Sequence, residues 1–497
     1  MKILLAGYNL DYETIREFQE LHPEVQNLTP ETISAAYARI SRSSKPVDEL
    51  RAIARQEVEK ARQSNRNIVF EMGHSSIAEH AVFNIDVIGV SRLLVEEIEK
   101  FRLCAYTEKS QRYVLFKDDF VIPEEIRKAG LAEQFVNTIR EQTRCYHKLY
   151  EKLRPHVFEK NKALAADPAN HSMLEGWAKE DARYVLSLAT ETQLGMTINA
   201  RNLELMLRRL AAHPLVEAQE YSRNLYEATK DIAPSLIRYT EATDYDRLTK
   251  QALTAKVHDI CEGLYQEKPL PIGQSEEPVS LVFATPDADE RIVASLIHSS
   301  SHLPMSQCMK IVSFMEGREK ERLMKTALRH MKSYDPVLRE FENADLHYEL
   351  VISASCFAQM KRHRMATITC QEYDPSLGVT IPPAITEISI DKDFMEIINQ
   401  TEKVYERIKQ KTPQAAGYLL TNAHRRRVSM KINARELYHI ARLRGDKHAQ
   451  WDIRETAEQM VKLGKGVMPL TLMLATGKDG FASRYSQIFA GENRLWE

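Results

Sequence analysis

An internal repeat constrains this chain most, because two copies of one sequence pattern predict two copies of one fold. The segment Thr197-Ile-Asn-Ala-Arg-Asn-Leu203 recurs as Lys431-Ile-Asn-Ala-Arg-Glu-Leu437. Each copy is followed by a basic and apolar stretch with helical spacing and then by Ala-Gln, at 218–219 and at 449–450. We therefore predict a tandem duplication, with a first and a second repeat.

The boundary between the repeats is indicated by the stretch KPLPIGQSEEP at 268–278, which contains three prolines, a glycine and an acidic pair. Such a composition is typical of a linker and not of a regular element. We predict a first domain at 1–250, a linker at 251–278 and a second domain at 279–497.

Composition excludes several classes of protein. The chain has 497 residues, is 43% hydrophobic and 28% charged, and has a net charge of −2, so no overall field attracts nucleic acid or an anionic membrane. It has no apolar run of roughly 20 residues that could span a membrane. The six cysteines lack metal-ligand spacing and predict reduced thiols. We expect a cytoplasmic protein with no nucleic-acid partner and no membrane partner.

Helical spacing predominates along the chain, and short strands interrupt it. The segment Ala81–Ile88 alternates like a half-buried strand, and a helix is predicted after it at Arg92–Phe101. Long amphipathic helices are predicted at 127–165 and 391–415. The predicted fold class is α+β, in which each repeat has a small mixed sheet packed with a helical bundle.

Specific motifs lie in both repeats. The second repeat contains Gln359-Met-Lys-Arg362-His363-Arg364 and a long block from Asn433 to Gln450. The first repeat contains Glu108-Lys-Ser110-Gln-Arg112-Tyr113. Together these motifs resemble the flavin-dependent thymidylate synthases, whose signature runs Arg-His-Arg, two residues, Ser, one residue, Asn-Glu, one residue, Ser, one residue, Arg-Tyr. The resemblance covers nearly all of the first repeat and, more weakly at its start, the second.

Neither repeat keeps the whole signature. The first has Lys100-Phe101-Arg102 in place of Arg-His-Arg but keeps the end of the signature, whereas the second keeps the start and has Cys370 near the position of the Glu. Likewise, the position of Arg444 in the second repeat is occupied by Leu210 in the first. The family builds its active site across subunit interfaces, so the complementary losses imply one composite site that uses both repeats, in a homodimer of tandem chains that mimics a tetramer.

The resemblance implies that the substrate is dUMP, that FAD is the cofactor, and that NADPH and methylenetetrahydrofolate are co-substrates. Planar guanidinium groups suit phosphate and carbonyl oxygens, and a guanidinium beside uracil N3 would lower the pKa of that nitrogen. The implied catalytic residues are Arg444 and Ser110. The implied substrate contacts are Gln359, Arg362, Glu108, Ser110, Arg112, Tyr113, Arg183 and Arg444. The implied FAD contacts are Ser41, His74, Ser76, Glu79, Arg362, His363, Arg364, Asn433, Arg435, His439 and His448. No metal site is predicted, since His74, Glu79 and His80 lack zinc-site spacing.

Two alternatives remain open at this point. One is a paralogue that binds flavin or nucleotide without turnover, because the Ser and Asn inside the signature are replaced in both repeats, by Ala105 and Thr107 and by Thr367 and Thr369. The other is a related flavin enzyme that acts on another pyrimidine nucleotide, since a fold does not determine a substrate.

Overall fold

The computed structural model describes residues 1–10, 12–21, 29–40, 43–110, 119–267 and 277–490. The chain divides into two compact units. Unit 1 comprises Met1–His147, Leu186–Ile272 and Glu396–Leu420, and unit 2 comprises Lys148–Val185, Gly273–Met395 and Thr421–Glu497. Each unit thus contains most of one repeat and a segment of the other. The domain boundary inferred from the sequence stays a prediction, and its residues 268–276 lie outside the described residues.

The sheet of unit 1 has four strands in the order β1-β2-β4-β3. Its strands are β1 (Lys2–Tyr8), β2 (Val82–Ser91), β3 (Ala105–Glu108) and β4 (Glu191–Asn199). Unit 2 repeats this order as β5-β6-β8-β7. Its strands are β5 (Val279–Ala284), β6 (Asp345–Ser353), β7 (Thr367–Cys370) and β8 (Arg425–Asn433). The shared strand order confirms the duplication and the α+β class.

Both sheets are antiparallel in all their pairings, so the mixed sheet expected from the sequence is wrong in this detail. The reason lies in the strand order. Strands β2 and β3 run in the same direction, but each pairs with β4 and they are not neighbours. Strands that run in the same direction, β2 with β3 and β1 with β4, are therefore never neighbours in this sheet.

Alternating apolar residues form the strands, because one face of each sheet is buried. In unit 1 the buried residues of β2 include Phe83, Ile85 and Val87. In unit 2 the corresponding buried residues of β6 are Leu346, Tyr348 and Leu350. Burying each such side chain stabilises the fold by about 1.5–3 kcal/mol, so this period-two pattern determines which face carries the core.

Helices cover the buried faces. Unit 1 contains α1 (Tyr12–Leu21), α2 (Glu31–Ile40), α3 (Val47–Gln56), α4 (Val58–Arg66), α5 (Arg92–Ile98), α6 (Glu124–Lys128), the first half of α7 (Ala132–Lys160), α10 (Ala200–Ala211), α11 (Val216–Thr229), α12 (Asp244–Glu267), most of α18 (Asp391–Lys411) and α19 (Pro413–Ala416). Unit 2 contains the rest of α7 and of α18, with α8 (Lys162–Ala165), α9 (His171–Ala182), α13 (Ala288–Ser299), α14 (Met305–Phe314), α15 (Gly317–Leu328), α16 (Ala354–Met360), α17 (Pro383–Glu387), α20 (Ala434–Arg444), α21 (Trp451–Val467) and α22 (Phe481–Phe489). Among the described residues, no helix is long and apolar enough to cross a membrane.

The element that positions most of the candidate site is the strand that runs into a helix at the repeated Asn-Ala-Arg motif. Asn433 caps α20 by accepting a hydrogen bond from the backbone N–H of Glu436 at 2.8 Å, and Asn199 caps α10 in the same way at 2.9 Å. An asparagine cap of this kind stabilises a helix start by roughly 1 kcal/mol. The repeated asparagine therefore starts the equivalent helix in both units.

Candidate functional site

Arg444, at the end of α20, is anchored by two hydrogen bonds. Its Nε donates to Nε2 of His363 at 3.1 Å, and its Nη2 donates to the backbone carbonyl of Gln359 at 3.2 Å. The other ring nitrogen of His363, Nδ1, lies 3.0 Å from a carboxylate oxygen of Glu436. The Glu436–His363–Arg444 chain therefore holds the guanidinium in one orientation.

The histidines beside Arg444 are neutral near pH 7. Burial lowers the pKa of His363, and Arg444 lowers it further, although Glu436 opposes both effects. A neutral His363 that accepts from Arg444 at Nε2 must carry its proton at Nδ1, where it donates to Glu436. Burial also lowers the pKa of His439, whose ring lies 5.5 Å from that of His363 between centroids.

Arg435, in the first turn of α20, is held by the start of the second repeat. Its Nη1 donates to Glu342 at 2.7 Å and its Nε to the carbonyl of Val337 at 3.0 Å. The hydrogen bond from Arg435 lowers the pKa of Glu342. In unit 1, Arg201 pairs with Glu79 in the same way, which supports the match between Glu79 and Glu342 that the sequence indicates.

A cavity of about 270 Å³ opens beside α20 in unit 2. Its lining includes the polar Asn433, Arg435, His439 and Arg442 together with the apolar Met331, Val337, Met365, Leu474 and Phe481. Apolar walls with a few placed polar groups are typical of cofactor pockets. The carboxylates of Asp335, Glu342 and Glu436 also line the cavity, and Arg435 is paired with Glu342. The volume and the apolar walls therefore fit a ring system of FAD.

Gln359 and Arg183 lie in a second polar cluster of unit 2. Gln359 is the sixth residue of α16, and its Nε2 donates to Oε1 of Gln450 at 3.4 Å. Arg183 is buried and donates to the hydroxyl of Ser355 at 2.8 Å, while Asn422 donates to its carbonyl. Arg183 is thus preoriented by α16, the helix that also carries Gln359.

A buried carboxylate forms the base of this cluster. Asp452 accepts hydrogen bonds from the hydroxyls of Ser353 and Tyr184, at 2.5 and 2.8 Å. Burial raises the pKa of Asp452, and these two donors oppose that shift. Gln450 donates to the Tyr184 oxygen at 2.8 Å, so hydrogen bonds connect Asp452 to Gln359.

The remaining predicted residues of unit 2 lie nearer the surface. Arg362 is exposed and Arg364 half-buried in the turn that follows α16. His448 is exposed, and its backbone N–H donates to Asp446 at 2.9 Å.

Three potential metal ligands meet within this group, since ligand atoms of His363, Glu436 and His439 lie within 4.8 Å of one another. However, Arg444 donates to His363, and Arg442 donates to Nδ1 of His439 at 3.2 Å. Two guanidinium groups at hydrogen-bonding distance from the imidazoles disfavour a bound cation electrostatically. The arrangement instead suits an anion or a polar ring.

In unit 1, Glu108 ends β3 and forms a buried ion pair with Arg92, the first residue of α5. The side chains are 2% and 5% exposed. Ser110 follows two residues later, and Arg112 and Tyr113 lie outside the described residues. Glu108 is opposite Leu194 in the ladder, and Cys370 is opposite Val428 at the matching position of unit 2, so the register places Cys370 at the Glu position.

The predicted flavin contacts of unit 1 lie around a short 3-10 helix, Ser75–His80. His74 precedes this helix and Ser76 lies in its first turn, and both are exposed. Glu79 is committed to Arg201. Ser41 lies outside the described residues.

The positions of unit 1 that match Gln359 and Arg362 carry Glu97 and Lys100. Lys100 pairs with Glu97 at 2.5 Å, and His213 lies 3.4 Å from the same carboxylate. Burial alone would raise the pKa of Glu97, but Lys100 and His213 outweigh it and hold the pKa far below its usual range. Leu210 replaces Arg444 and is buried. At these three positions, unit 1 therefore has a carboxylate, an ammonium group and an apolar side chain in place of the amide and the two guanidinium groups of unit 2.

Sequence reasoning assigned no role to several residues that organise the site, namely Arg92, Tyr184, Glu436, Arg442 and Asp452. One signal was available. Tyr184 precedes Asn199 by the same number of residues as Tyr418 precedes Asn433. Within its own unit, each tyrosine donates a hydrogen bond to a carboxylate, Tyr184 to Asp452 and Tyr418 to Glu217. The structure also aligns Glu217 with Asp452, each the second residue of its helix, and not with His448.

Comparison with known proteins finds the same family in each of the two repeats. Residues 25–235 and 280–470 each match the family model described as thymidylate synthase complementing protein. The chain is 24% identical over 477 residues to a UPF0159 protein of Thermoplasma acidophilum, covering 88% of this chain and 93% of that protein. The two matched segments leave α12 between them.

Single-repeat relatives are also similar. A flavin-dependent thymidylate synthase of Clostridium tetani is 30% identical over 216 residues, which cover 42% of this chain and 82% of that protein. A solved Helicobacter pylori flavin-dependent thymidylate synthase, complexed with FAD and dUMP, aligns with a TM-score of 0.32 and 15% identity over 48% of this chain and all of that one. A score of that size carries no weight, so the kinship rests on the sequence matches.

Proposed function

Because the chain belongs to the thymidylate synthase complementing protein family, we propose that it is a flavin-dependent thymidylate synthase. It converts dUMP to dTMP, with methylenetetrahydrofolate as the carbon donor, FAD as the cofactor and NADPH as the reductant. The relatives that support this proposal include proteins named flavin-dependent thymidylate synthase, whereas the relatives that match over most of the chain are UPF0159 proteins.

The observation that carries the proposal is the anchoring of Arg444 by neutral His363 and by the carbonyl of Gln359. A guanidinium held in this way can donate to a uracil edge without reorganising, which is how fixed donors stabilise developing charge. It would favour the N3 anion of the pyrimidine through opposite charge and hydrogen bonding, and so make C5 more nucleophilic. Ser110 is the second catalytic residue of the proposal.

Binding of the nucleotide falls to the remaining polar groups. Arg183 and Arg362, with Arg112, suit a phosphate dianion because guanidinium groups form fixed, permanently charged forks. Gln359, Glu108 and Tyr113 supply further hydrogen bonds. Arg92 forms a buried ion pair with Glu108 and so holds this carboxylate in place.

FAD supplies a hydride when it is bound and reduced. In unit 2 the cavity beside α20 supports this cofactor, with Asn433, Arg435 and His439 on its wall and His363, Arg364 and His448 on the adjoining segments. In unit 1, Ser41, His74, Ser76 and Glu79 are the proposed contacts. The residues of this chain hold and orient the cofactor and exclude water from its reactive face.

One site that uses residues of both repeats explains why each repeat has lost a different part of the signature. Unit 1 keeps Glu108 where unit 2 has Cys370, and unit 2 keeps Arg444 where unit 1 has Leu210. We further propose a homodimer of tandem chains as the active form, in the cytoplasm.

Tritium release from C5-labelled dUMP tests the activity directly, with the purified chain, FAD, methylenetetrahydrofolate and NADPH. Release that depends on all four components supports the proposal, and dTMP is the expected product. A yellow protein that binds dUMP but releases no tritium would instead identify a paralogue without turnover. Release from a different labelled pyrimidine nucleotide, and not from dUMP, would identify the related flavin enzyme.

A further inference from the structure

A directed set of hydrogen bonds ends on Gln359. The same oxygen of Asp452, Oδ2, accepts from both Ser353 and Tyr184. Tyr184 has only one proton, and Asp452 takes it, so the Tyr184 oxygen must act as the acceptor toward Gln450, whose Nε2 lies 2.8 Å away.

The orientation then passes to the next amide. Because Nε2 of Gln450 points at Tyr184, its Oε1 is the atom left to face Gln359, and it accepts from Nε2 of that side chain at 3.4 Å. A primary amide can rotate by half a turn at little cost unless its neighbours distinguish O from N. Tyr184, which Asp452 orients, makes that distinction for Gln450, and the backbone N–H of Ile453 supports it by donating to the same Oε1. The amide of Gln359 therefore faces an acceptor and has a defined orientation.

Unit 1 provides an internal control for this arrangement. Ser91 and Tyr418 donate to the carboxylate of Glu217 at 2.6 and 2.7 Å, as Ser353 and Tyr184 do to Asp452. Leu215, however, stands at the position of Gln450, and Glu97 stands at that of Gln359. The serine–tyrosine–carboxylate group is common to both units, whereas the two glutamines occur only in the unit that keeps Arg362 and Arg444.

Helix capping does not explain Gln450. Its Oε1 does accept from the N–H of Ile453, at 3.4 Å, at the start of α21. The equivalent helix α11 begins after Leu215 with no side-chain cap. The fold therefore tolerates an apolar residue at this position, and another requirement accounts for the glutamine.

We infer that Gln450 and Tyr184 are positioning residues, which set the amide orientation of Gln359 for pyrimidine nucleotide binding; this inference rests on the proposed function. Tyr184 receives its own orientation from buried Asp452. The backbone carbonyl of Gln359 also anchors Arg444, so a displaced Gln359 disturbs two groups of the site.

Paired tyrosine variants test the inference in the full-length purified chain. Tyr184→Phe removes the relay but keeps Ser353 on Asp452, and Tyr418→Phe removes the matching bond in unit 1. Both variants should lower the melting temperature by similar amounts. Only Tyr184→Phe should raise the Kd of dUMP in calorimetry and its KM, by about tenfold, while kcat changes less than threefold.

Two results overturn the inference alone: wild-type dUMP affinity in Tyr184→Phe, or an equal loss of affinity in Tyr418→Phe. If Tyr184→Phe fails to fold, Gln450→Leu decides, because it copies Leu215 of unit 1 and should raise the Kd by a similar factor. A wild-type chain that does not bind dUMP defeats the proposed function and the inference together.

Discussion

The two units carry the same buried carboxylate, serine and tyrosine, but they surround it differently. In unit 2 this group extends through Gln450 to Gln359, and in unit 1 the extension ends at Leu215. Shared parts of a duplicated fold report what the fold requires, whereas the differing parts report where only one copy is used. The carboxylate group is therefore common to the fold, and the two glutamines are the part that we assign to the proposed site.

The two units also differ in the charge of the side chains at equivalent positions in and just after α16 and α5. Unit 2 presents neutral Gln359 and exposed Arg362, whereas unit 1 presents Glu97 paired with Lys100 and His213. A carboxylate whose pKa is held far below its usual range stays ionised and repels a phosphate dianion. Where unit 2 has the proposed phosphate contact Arg362, unit 1 thus has Lys100, which is paired with the nearby carboxylate of Glu97.

The largest effect is expected at the position where the units differ most in chemistry. Arg444→Met should lower kcat/KM for dUMP by about a thousandfold, because a fixed donor to developing charge is worth roughly 10²–10³ in rate and this one also contacts His363. Leu210→Met, the same new side chain at the matching buried position, should leave kcat/KM within twofold. Steady-state tritium release measures both.

Similar values of kcat/KM in these two methionine variants would show that Arg444 does not act on the reacting atoms. The melting temperatures serve as the control, since Leu-to-Met exchange in a core costs under about 1.5 kcal/mol. A large drop in melting temperature for Arg444→Met would assign its effect to folding.

The next effect concerns the buried ion pair of Arg92 and Glu108 in unit 1, whose positions are occupied by Ala354 and Cys370 in unit 2. Arg92→Met should lower the free energy of unfolding by about 3 kcal/mol, because it leaves Glu108 buried without its partner. Arg92→Met/Glu108→Gln should recover most of that stability while activity stays low, since Glu108 is a proposed substrate contact. Urea unfolding and tritium release, compared in both variants, separate the structural from the functional effect. Full activity in the double variant would exclude Glu108 from the site.

A smaller effect is expected at the phosphate position. Arg362→Ala should raise the KM for dUMP by about a hundredfold, because a charge-assisted bond to phosphate is worth roughly 1.5–3 kcal/mol. Lys100→Ala, at the matching exposed position, should change KM by less than twofold and only release Glu97. Equal KM values in the two variants would contradict the use of a single anion-binding position.

Sequence alone predicted the duplication, the fold class and the residues kept by each repeat, since these depend on local patterns. The strand predicted at Ala81–Ile88 is observed as β2. Residues 46–65 are charged and rich in alanine with helical spacing, and they form two helices, α3 and α4, which meet at Glu57. Periodicity cannot reveal such a break, because neither proline nor glycine marks it.

Partners of the site residues were harder to predict, since they come from distant parts of the chain. Asp452 meets Tyr184 across 268 positions, and Arg92 meets Glu108 across a helix and a strand. No local pattern encodes such contacts. The repeated Ala-Gln pairs also occupy different places in the two units, since α11 begins before its pair and α21 begins after its own.

The smallest effect concerns pH and stability at Asp181, whose position is occupied by Ala415 in unit 1. Burial raises the pKa of Asp181 to about 7, although Trp451 donates to it at 2.8 Å and opposes the shift. The folded chain therefore binds this proton more tightly than the unfolded chain, and the free energy of unfolding should fall as pH rises from about 4 to about 7. Asp181→Asn keeps an acceptor for Trp451 but cannot ionise, so it should remove that slope and stabilise the chain at pH 8. Asp393→Asn is the control of opposite sign, because hydrogen bonds from Lys152 and Lys148 lower the pKa of Asp393 and its contribution is lost toward acid. Unfolding curves between pH 2 and 8 measure both slopes, the Asp181 slope above pH 4 and the Asp393 slope below it, and an unchanged slope in Asp181→Asn would show that this carboxyl titrates alike in the folded and unfolded chain.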